Sequence, residues 1–159
     1  MILFLDFDGV LHPDPWREGQ PLFQHAGRLA HALEEFPEVS IVLSTSWRAT
    51  RPFEALVEPL GALQQRVVGI TPLFSRFSAP RRLMPYPREA ECLRWLEEQE
   101  MPNAPWVALD DRPTWFSPQC AQLIECDAQR GFDEQVAGRL RTALLRGRRS
   151  QTQRVDELL

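Results

Sequence analysis

The chain contains no lysine, and all 18 of its basic residues are arginines. A site that elsewhere uses a lysine must use an arginine here, which keeps the positive charge and adds a planar fork of donors. The net charge is −4, so the overall composition does not point to nucleic acid. The three cysteines, Cys92, Cys120 and Cys126, form no CxxC pair. We expect them to be reduced thiols in a cytoplasmic protein.

Long apolar runs are also missing. None approaches the roughly 18–20 residues of a transmembrane helix. The apolar stretch at the N-terminus has no basic residue before it and ends in aspartates, which is unlike a signal peptide. We therefore expect no membrane partner, and nothing in the composition requires an obligate protein partner. A chain of 159 residues is long enough for one globular domain with its own core.

Short apolar segments alternate with amphipathic ones along the chain. The apolar segments predict strands at residues 2–6, 40–43, 67–70, 106–109 and 122–126. The amphipathic segments predict helices at residues 26–36, 52–63, 88–100 and 132–145. This alternation is typical of an α/β, three-layer, Rossmann-like fold, with a five-stranded parallel sheet between helices on both faces. We assign residues 1–146 to this domain and expect residues 147–159 to be a polar, fraying tail.

Polar residues follow three of the predicted strands. They are Asp6 and Asp8 after the first strand, Ser44, Thr45 and Ser46 after the second, and Asp110 and Asp111 after the fourth. Gly9 permits a sharp turn after the first strand. Because the carboxyl ends of parallel strands meet at one edge of a sheet, these residues should converge there. Four carboxylates would repel one another without a counter-charge, and Mg²⁺ is a hard cation that suits oxygen ligands.

The segments DFDGV, IVLSTS and WVALDD resemble motifs one, two and four of the haloacid dehalogenase (HAD) superfamily of phosphohydrolases. The resemblance covers residues 1–131 and implies a magnesium-dependent phosphatase with an aspartyl-phosphate intermediate. It makes Asp6 the nucleophile and a metal ligand. It makes Asp8 the general acid and base, with its backbone carbonyl on the metal. Ser44 would bind the phosphate, and Thr45 and Ser46 would add donors.

Two motifs depart from the usual pattern of the family. The fourth motif normally reads glycine then aspartate, but here Asp110 precedes Asp111. The resemblance implies that Asp111 is a direct metal ligand and that Asp110 binds through water or orients Asp111. The third motif normally supplies a lysine. Without one, Arg88 at the start of a predicted helix is the best phosphate-binding candidate, with Arg81 and Arg82 as rivals.

The spacing between the motifs leaves little room for a lid. Members of the family that act on small substrates often carry a lid domain after the first or the second motif. Here both intervals are filled by the predicted helices, strands and short loops. We therefore expect a minimal cap and an open site, which can admit a phosphate at the end of a macromolecule.

Two further features favour a nucleic-acid end as the phosphorylated substrate. Residues 59–88 contain five arginines and no acidic residue. The sequence LDDR at 109–112 resembles polynucleotide 3′-phosphatases, and STSWR at 44–48 resembles small capless members fused in bacterial RNA-repair proteins. The candidate substrate-binding residues are Trp47, Arg48, Arg76, Arg81 and Arg82. Trp47 also fits a core position better than a base-stacking one, and His12 fits a polar loop residue better than a catalyst.

Other function classes remain as alternatives. The fold could carry a non-catalytic phosphate- or partner-binding module, or a phosphotransferase. A dehalogenase is disfavoured because it lacks the second aspartate, which is present here as Asp8. A receiver domain has its acidic pair at the first strand and its phosphorylated aspartate in the middle of the chain. It is disfavoured because this chain has the reverse arrangement and no lysine.

Overall fold

The computed structural model describes residues 1–74 and 84–156. Its centre is a sheet of five strands in the order β3-β2-β1-β4-β5, and every neighbouring pair is parallel. The strands are β1 (Ile2–Leu5), β2 (Ser40–Leu43), β3 (Val67–Ile70), β4 (Trp106–Asp110) and β5 (Leu123–Glu125). The predicted α/β fold with a five-stranded parallel sheet is confirmed.

Helices cover both faces of the sheet. They are α1 (Ala26–Ala32), α2 (Phe53–Val57), α3 (Pro87–Glu98) and α4 (Glu134–Asp156). One core cluster joins Leu3 and Leu5 of β1 to side chains of α1, α2 and α4, and the other joins Ile2 and Phe4 to α3. Successive side chains of a strand point to opposite faces, so an unbroken apolar strand is buried on both sides. This double burial makes β1 a rigid support for the residues that follow it.

The predicted helix at 52–63 is divided in the structure. The α-helix ends at Val57, and a 3₁₀ segment, Glu58–Arg66, continues the chain. Gly61 lies inside this segment with a φ of 56°, and Pro59 has no N–H to donate to a helix. Arg66 then donates to the carbonyl oxygens of Leu33 and Phe36, both at 2.8 Å, in the turn that follows α1.

The prediction of a fraying tail from residue 147 differs from the structure, in which α4 continues to Asp156. Gly147 does not end the helix but marks a close approach, because a Cβ at this position would overlap the side chain of Met1. Arg148 donates to Glu38 Oε1 and to the carbonyl oxygen of Glu35, both at 2.8 Å. These contacts join α4 at Arg148 to the loop before β2, so the predicted boundary after residue 146 falls within α4.

None of the helices in residues 1–74 and 84–156 combines the length and the apolar character that a membrane crossing requires.

Two glycines near the C-terminal helix should respond in opposite ways to replacement by alanine. Gly131 has a φ of 60°, and a Cβ there would lie 2.6 Å from the carbonyl oxygen of Val10. Gly131→Ala should lower the free energy of unfolding by about 2 kcal/mol, because of the left-handed backbone and the contact with Val10. Gly138 lies within α4 with open space around its Cα. Gly138→Ala should raise the free energy of unfolding by about 0.5–1 kcal/mol. Urea denaturation measures both, and equal effects would contradict the structure at Gly131.

Candidate active site

The register of the sheet brings three strand ends together. Leu5, the last residue of β1, pairs with β2 on one side and with β4 on the other. The next positions along these strands are Asp6, Ser44 and Asp110. The N–H of Asp6 donates to β4 at 3.1 Å, and the N–H of Ser44 donates to the Leu5 carbonyl at 2.9 Å. Three residues that are far apart in sequence therefore lie side by side at one edge of the sheet.

Three carboxylates form a tight cluster at this edge. Asp6, Asp110 and Asp111 each place an oxygen within 4.8 Å of the others. Burial raises the pKa of Asp6 against the opposing effect of Arg88, and burial together with the charge of Asp6 raises the pKa of Asp110 well above its usual value. The same two causes raise the pKa of Asp111 to about 6. Oδ2 of Asp110 and Oδ1 of Asp111 are buried without a hydrogen-bond partner. The cluster thus offers unsatisfied acceptors that a cation would satisfy.

Gly9 shapes the cluster from the loop after β1. Its φ is 69°, a left-handed conformation that favours glycine. A Cβ at this position would lie 2.4 Å from Oδ2 of Asp111. The sequence predicted a sharp turn here, and the structure adds a second requirement, since only a residue without a side chain leaves space for the Asp111 carboxylate.

Arg88, the predicted substitute for the lysine of the third motif, lies inside the cluster. The side chain is buried, and Nη1 is 3.6 Å from Oδ1 of Asp6 and 3.4 Å from Oδ2 of Asp110. Arg88 belongs to the first turn of α3, which begins at Pro87. Its contacts with Asp6 and Asp110 place this turn beside the carboxyl ends of β1 and β4. The structure brings Arg88 to Asp6 as predicted. Its rivals Arg81 and Arg82, and Arg76, lie outside the described residues.

Arg48 differs from its predicted place at the substrate. Its side chain is only 2% exposed and forms an ion pair with Glu91. Its guanidinium also donates to backbone carbonyl oxygens in the loops after β2 and β3, those of Ser44, Thr45, Thr71 and Pro72. These bonds use the planar fork of donors to join the two loops. Arg48 therefore stabilises the backbone of the loops after β2 and β3.

The carboxylate of Asp8 is held by two side chains. His12 Nε2 donates to Oδ1 at 3.0 Å, and Trp47 Nε1 donates to Oδ2 at 2.9 Å. The bond from His12, joined by that from Trp47 and opposed by burial, holds the pKa of Asp8 below its usual value. His12 lies in the loop after β1, as expected, but it is only 1% exposed and is a buried partner of Asp8. The four-residue spacing across the turn at Gly9 is the sequence signal for this contact.

The loop after β2 positions Trp47. The Trp47 ring packs edge-on against Phe7 and Phe23, and the guanidinium of Arg51 lies 3.8 Å above it. The ring therefore combines the core contacts that we favoured with a polar edge that faces Asp8. Thr45 is buried, and its hydroxyl oxygen accepts the N–H of Trp47 at 3.3 Å. Thr45 thus fixes the start of the 3₁₀ helix that carries Trp47.

Two arginines that we did not single out lie at the rim of the site. Arg51 is exposed and stacks on Trp47, the residue that contacts Asp8. Arg112 follows Asp111, and its side chain is 49% exposed and lies 5.1 Å from the ring of Trp115. The LDDR segment had drawn attention to Arg112 only as part of a motif. Its exposure beside the acid cluster could not be read from the sequence.

The comparison with known families agrees with this geometry. The family described as the HAD domain in Swiss Army Knife RNA repair proteins matches residues 2–137. The match includes every residue of the acid cluster and Arg88, and it confirms the resemblance to the HAD superfamily. Searches of the curated proteins and of the solved structures found no match. The chain belongs to the family of HAD domains found in Swiss Army Knife RNA repair proteins.

Proposed function

We propose that the protein is a magnesium-dependent phosphomonoesterase that works through an aspartyl-phosphate on Asp6. The observation that carries this proposal is the position of Asp6, which lies within 4.8 Å of the carboxylates of Asp110 and Asp111 and 3.6 Å from the guanidinium of Arg88. A carboxylate nucleophile needs positive charge around it before a phosphate dianion can approach. Arg88 provides one such charge from the protein itself.

The residues of the cluster fit a hard divalent cation. Three carboxylates converge, and two of their buried oxygens lack hydrogen-bond partners. Asp6 and Asp111 would hold Mg²⁺ directly with the carbonyl oxygen of Asp8, and Asp110 would orient Arg88 and Asp111. When bound, the cation supplies the charge that balances the phosphoryl oxygens.

Two displacements at phosphorus account for the chemistry. In the first, an oxygen of Asp6 attacks phosphorus, the bond to the leaving oxygen breaks, and that oxygen takes a proton from Asp8. Asp8 must enter this step protonated, although its two N–H donors lower its pKa and favour the carboxylate in the free protein. In the second, Asp8 takes a proton from water, and the resulting hydroxide attacks phosphorus. The bond to Asp6 then breaks and inorganic phosphate is released. Arg88 faces Asp6 throughout and stabilises the oxygens of the transferred group.

We further propose that the phosphate lies at a nucleic-acid end. The RNA-repair association in the family's description supports this substrate class. So do two exposed arginines: Arg51 stacks on Trp47, which bonds Asp8, and Nε of Arg112 lies 3.9 Å from Oδ1 of Asp111. In the described residues between β1 and α1, the loop contains no helix or strand that would close over the site. Backbone phosphates next to the scissile one could therefore reach both arginines.

The mechanism predicts different losses at the two aspartates of the first motif. Asp6→Asn should abolish phosphate release, because an amide is not a competent nucleophile. Asp8→Asn should lower kcat by about 10²–10⁴-fold, the usual contribution of general acid–base catalysis. Phosphate release from p-nitrophenyl phosphate and from a phosphorylated oligonucleotide measures both. Glu97→Gln, an exposed carboxylate in the last turn of α3 and so at the opposite end of that helix from Arg88, is the control. Normal turnover by Asp6→Asn would remove the basis of the proposal.

The metal proposal is tested by binding as well as by activity. Asp111→Ala should remove Mg²⁺ binding in calorimetry and remove activity, because a hard ligand is lost. Asp110→Ala should weaken both less. Gly9→Ala should also weaken Mg²⁺ binding, since its Cβ would displace the Asp111 carboxylate. Gly27→Ala, in α1 with open space around it, should leave Mg²⁺ affinity unchanged. Full affinity in Asp111→Ala would refute this assignment.

The substrate proposal predicts an effect of the rim arginines that depends on substrate length. The double variant Arg51→Gln, Arg112→Gln should raise KM for a phosphorylated oligonucleotide and leave p-nitrophenyl phosphate nearly unchanged. The salt dependence of oligonucleotide binding should also flatten, by about 0.7 in log–log slope per lost phosphate contact on a single strand. We expect the same of Arg81→Ala, Arg82→Ala. The control Arg94→Gln, Arg141→Gln removes equal charge from exposed positions of α3 and α4. Equal effects on both substrates would favour a small substrate.

A further inference from the structure

Asp8 is unusual because a partly exposed carboxylate has both of its oxygens bonded to side chains. Its side chain is 35% exposed, yet Oδ1 accepts from His12 and Oδ2 accepts from Trp47. One donor on each oxygen fixes the rotation of the carboxylate as well as its direction. A carboxylate at a protein surface would otherwise exchange rotamers freely.

The ring of His12 is itself fixed by its surroundings. Its Nδ1 accepts the backbone N–H of Phe23 at 3.4 Å, so Nε2 carries the hydrogen that is donated to Asp8. The ring of Phe23 lies edge-on to His12 with 5.3 Å between centroids, and that of Trp47 lies 5.7 Å away. The imidazole has neither space to turn nor a free choice of tautomer.

Trp47, the second donor to Asp8, is also fixed by its surroundings. Phe7 and Phe23 contact its ring edge-on, each at 5.6 Å between centroids, and Thr45 accepts its backbone N–H. Its indole N–H can therefore point only towards Asp8. The two donors come from different loops, one after β1 and one after β2, so the carboxylate is fixed relative to two strands of the sheet.

We propose that His12 and Trp47 are positioning residues that hold Asp8 at the leaving oxygen of the substrate. This inference rests on the proposed phosphatase function. Proton transfer requires the acid to lie within hydrogen-bond reach of the leaving oxygen. A carboxyl group that exchanges between rotamers would meet that condition only part of the time. The described residues of the loop between β1 and α1 form no helix or strand, and Asp8 is held instead by His12 from that loop and by Trp47 from the loop after β2.

The clamp formed by His12 and Trp47 should matter most when the leaving group needs a proton. An alkoxide leaving a phosphorylated oligonucleotide needs one, whereas p-nitrophenolate is a stable anion and leaves without help. His12→Phe and Trp47→Phe keep aromatic volume and remove the donors. Each should lower the rate of alcohol release from the oligonucleotide by about 10–100-fold, less than the roughly 10²–10⁴-fold contribution of general acid catalysis because Asp8 itself remains, with KM changed less than about 3-fold. Single-turnover measurement of the leaving alcohol isolates this first step from the later attack of water.

Three controls separate positioning from a loss of structure. p-Nitrophenol release in single turnover should change less than about 3-fold in the same variants, because no proton is needed there. His12→Gln restores an N–H donor at similar reach and should recover most of the oligonucleotide rate. Trp95→Phe, which changes an edge-on contact with Phe4 on the other face of the sheet, should lower neither rate selectively. Equal losses on both substrates would overturn the positioning role.

A measurement that needs no turnover tests the clamp directly. The indole N–H of Trp47 should give a proton resonance that shifts upfield and exchanges faster with water in Asp8→Ala, because its acceptor is gone. An unchanged resonance would overturn the clamp, whatever the activity. If the resonance shifts in Asp8→Ala but the wild-type protein hydrolyses neither substrate, the phosphatase proposal on which the positioning role rests is overturned instead.

Discussion

The buried charge around Asp6 is the constraint on which the rest of the structure depends. Asp6, Asp110 and Asp111 lie too close for three carboxylates to be buried together without compensation. Arg88 supplies a positive charge at 3.6 Å from Asp6 and 3.4 Å from Asp110. The remaining negative charge is what makes the cluster receptive to a cation. The same arrangement that is costly for the folded chain is therefore what prepares it for phosphate chemistry.

A second layer of charge keeps Arg88 in place. Glu91 is one turn further along α3, and its carboxylate lies 3.6 Å from Nε of Arg88 and also pairs with Arg48. Arg48 in turn bonds the loops after β2 and β3. The result is a buried chain of alternating charge from those loops to Asp6. Such chains are strongly destabilised when one member is lost, since its partner is left buried and unpaired.

The sequence predicted those features that depend on period and position. The strands, the burial of β1 on both faces and the convergence of Asp6, Ser44 and Asp110 follow from apolar runs that end in polar residues. Arg88 could also be found, because the absence of lysine left few candidates at the right helix. The end of α4 differs from the prediction because the polar composition of residues 147–159 indicated a tail, while the contact of Gly147 with Met1 depends on how helix and sheet pack.

Side-chain partners inside the loops could not be predicted in the same way. Arg48 and Arg51 are close in sequence, and only the fold shows that the first is buried among carbonyls and the second is exposed on Trp47. The spacing of His12 from Asp8 is a local signal, but Trp47 is 39 positions from Asp8, and nothing local indicates that it reaches the same carboxylate. Such contacts are set by tertiary packing, which periodicity does not record. Residues 75–83, which contain three arginines that we predicted to bind substrate, lie outside the described structure.

The absence of a side chain at Gly9 has a consequence for the order of events at the metal site. The main chain of the loop after β1 packs closely against the Asp111 carboxylate at Gly9. This contact restricts the rotamers of Asp111 in the metal-free protein. Less conformational entropy is then lost on binding, and the cluster is preorganised at the expense of the folded apo protein.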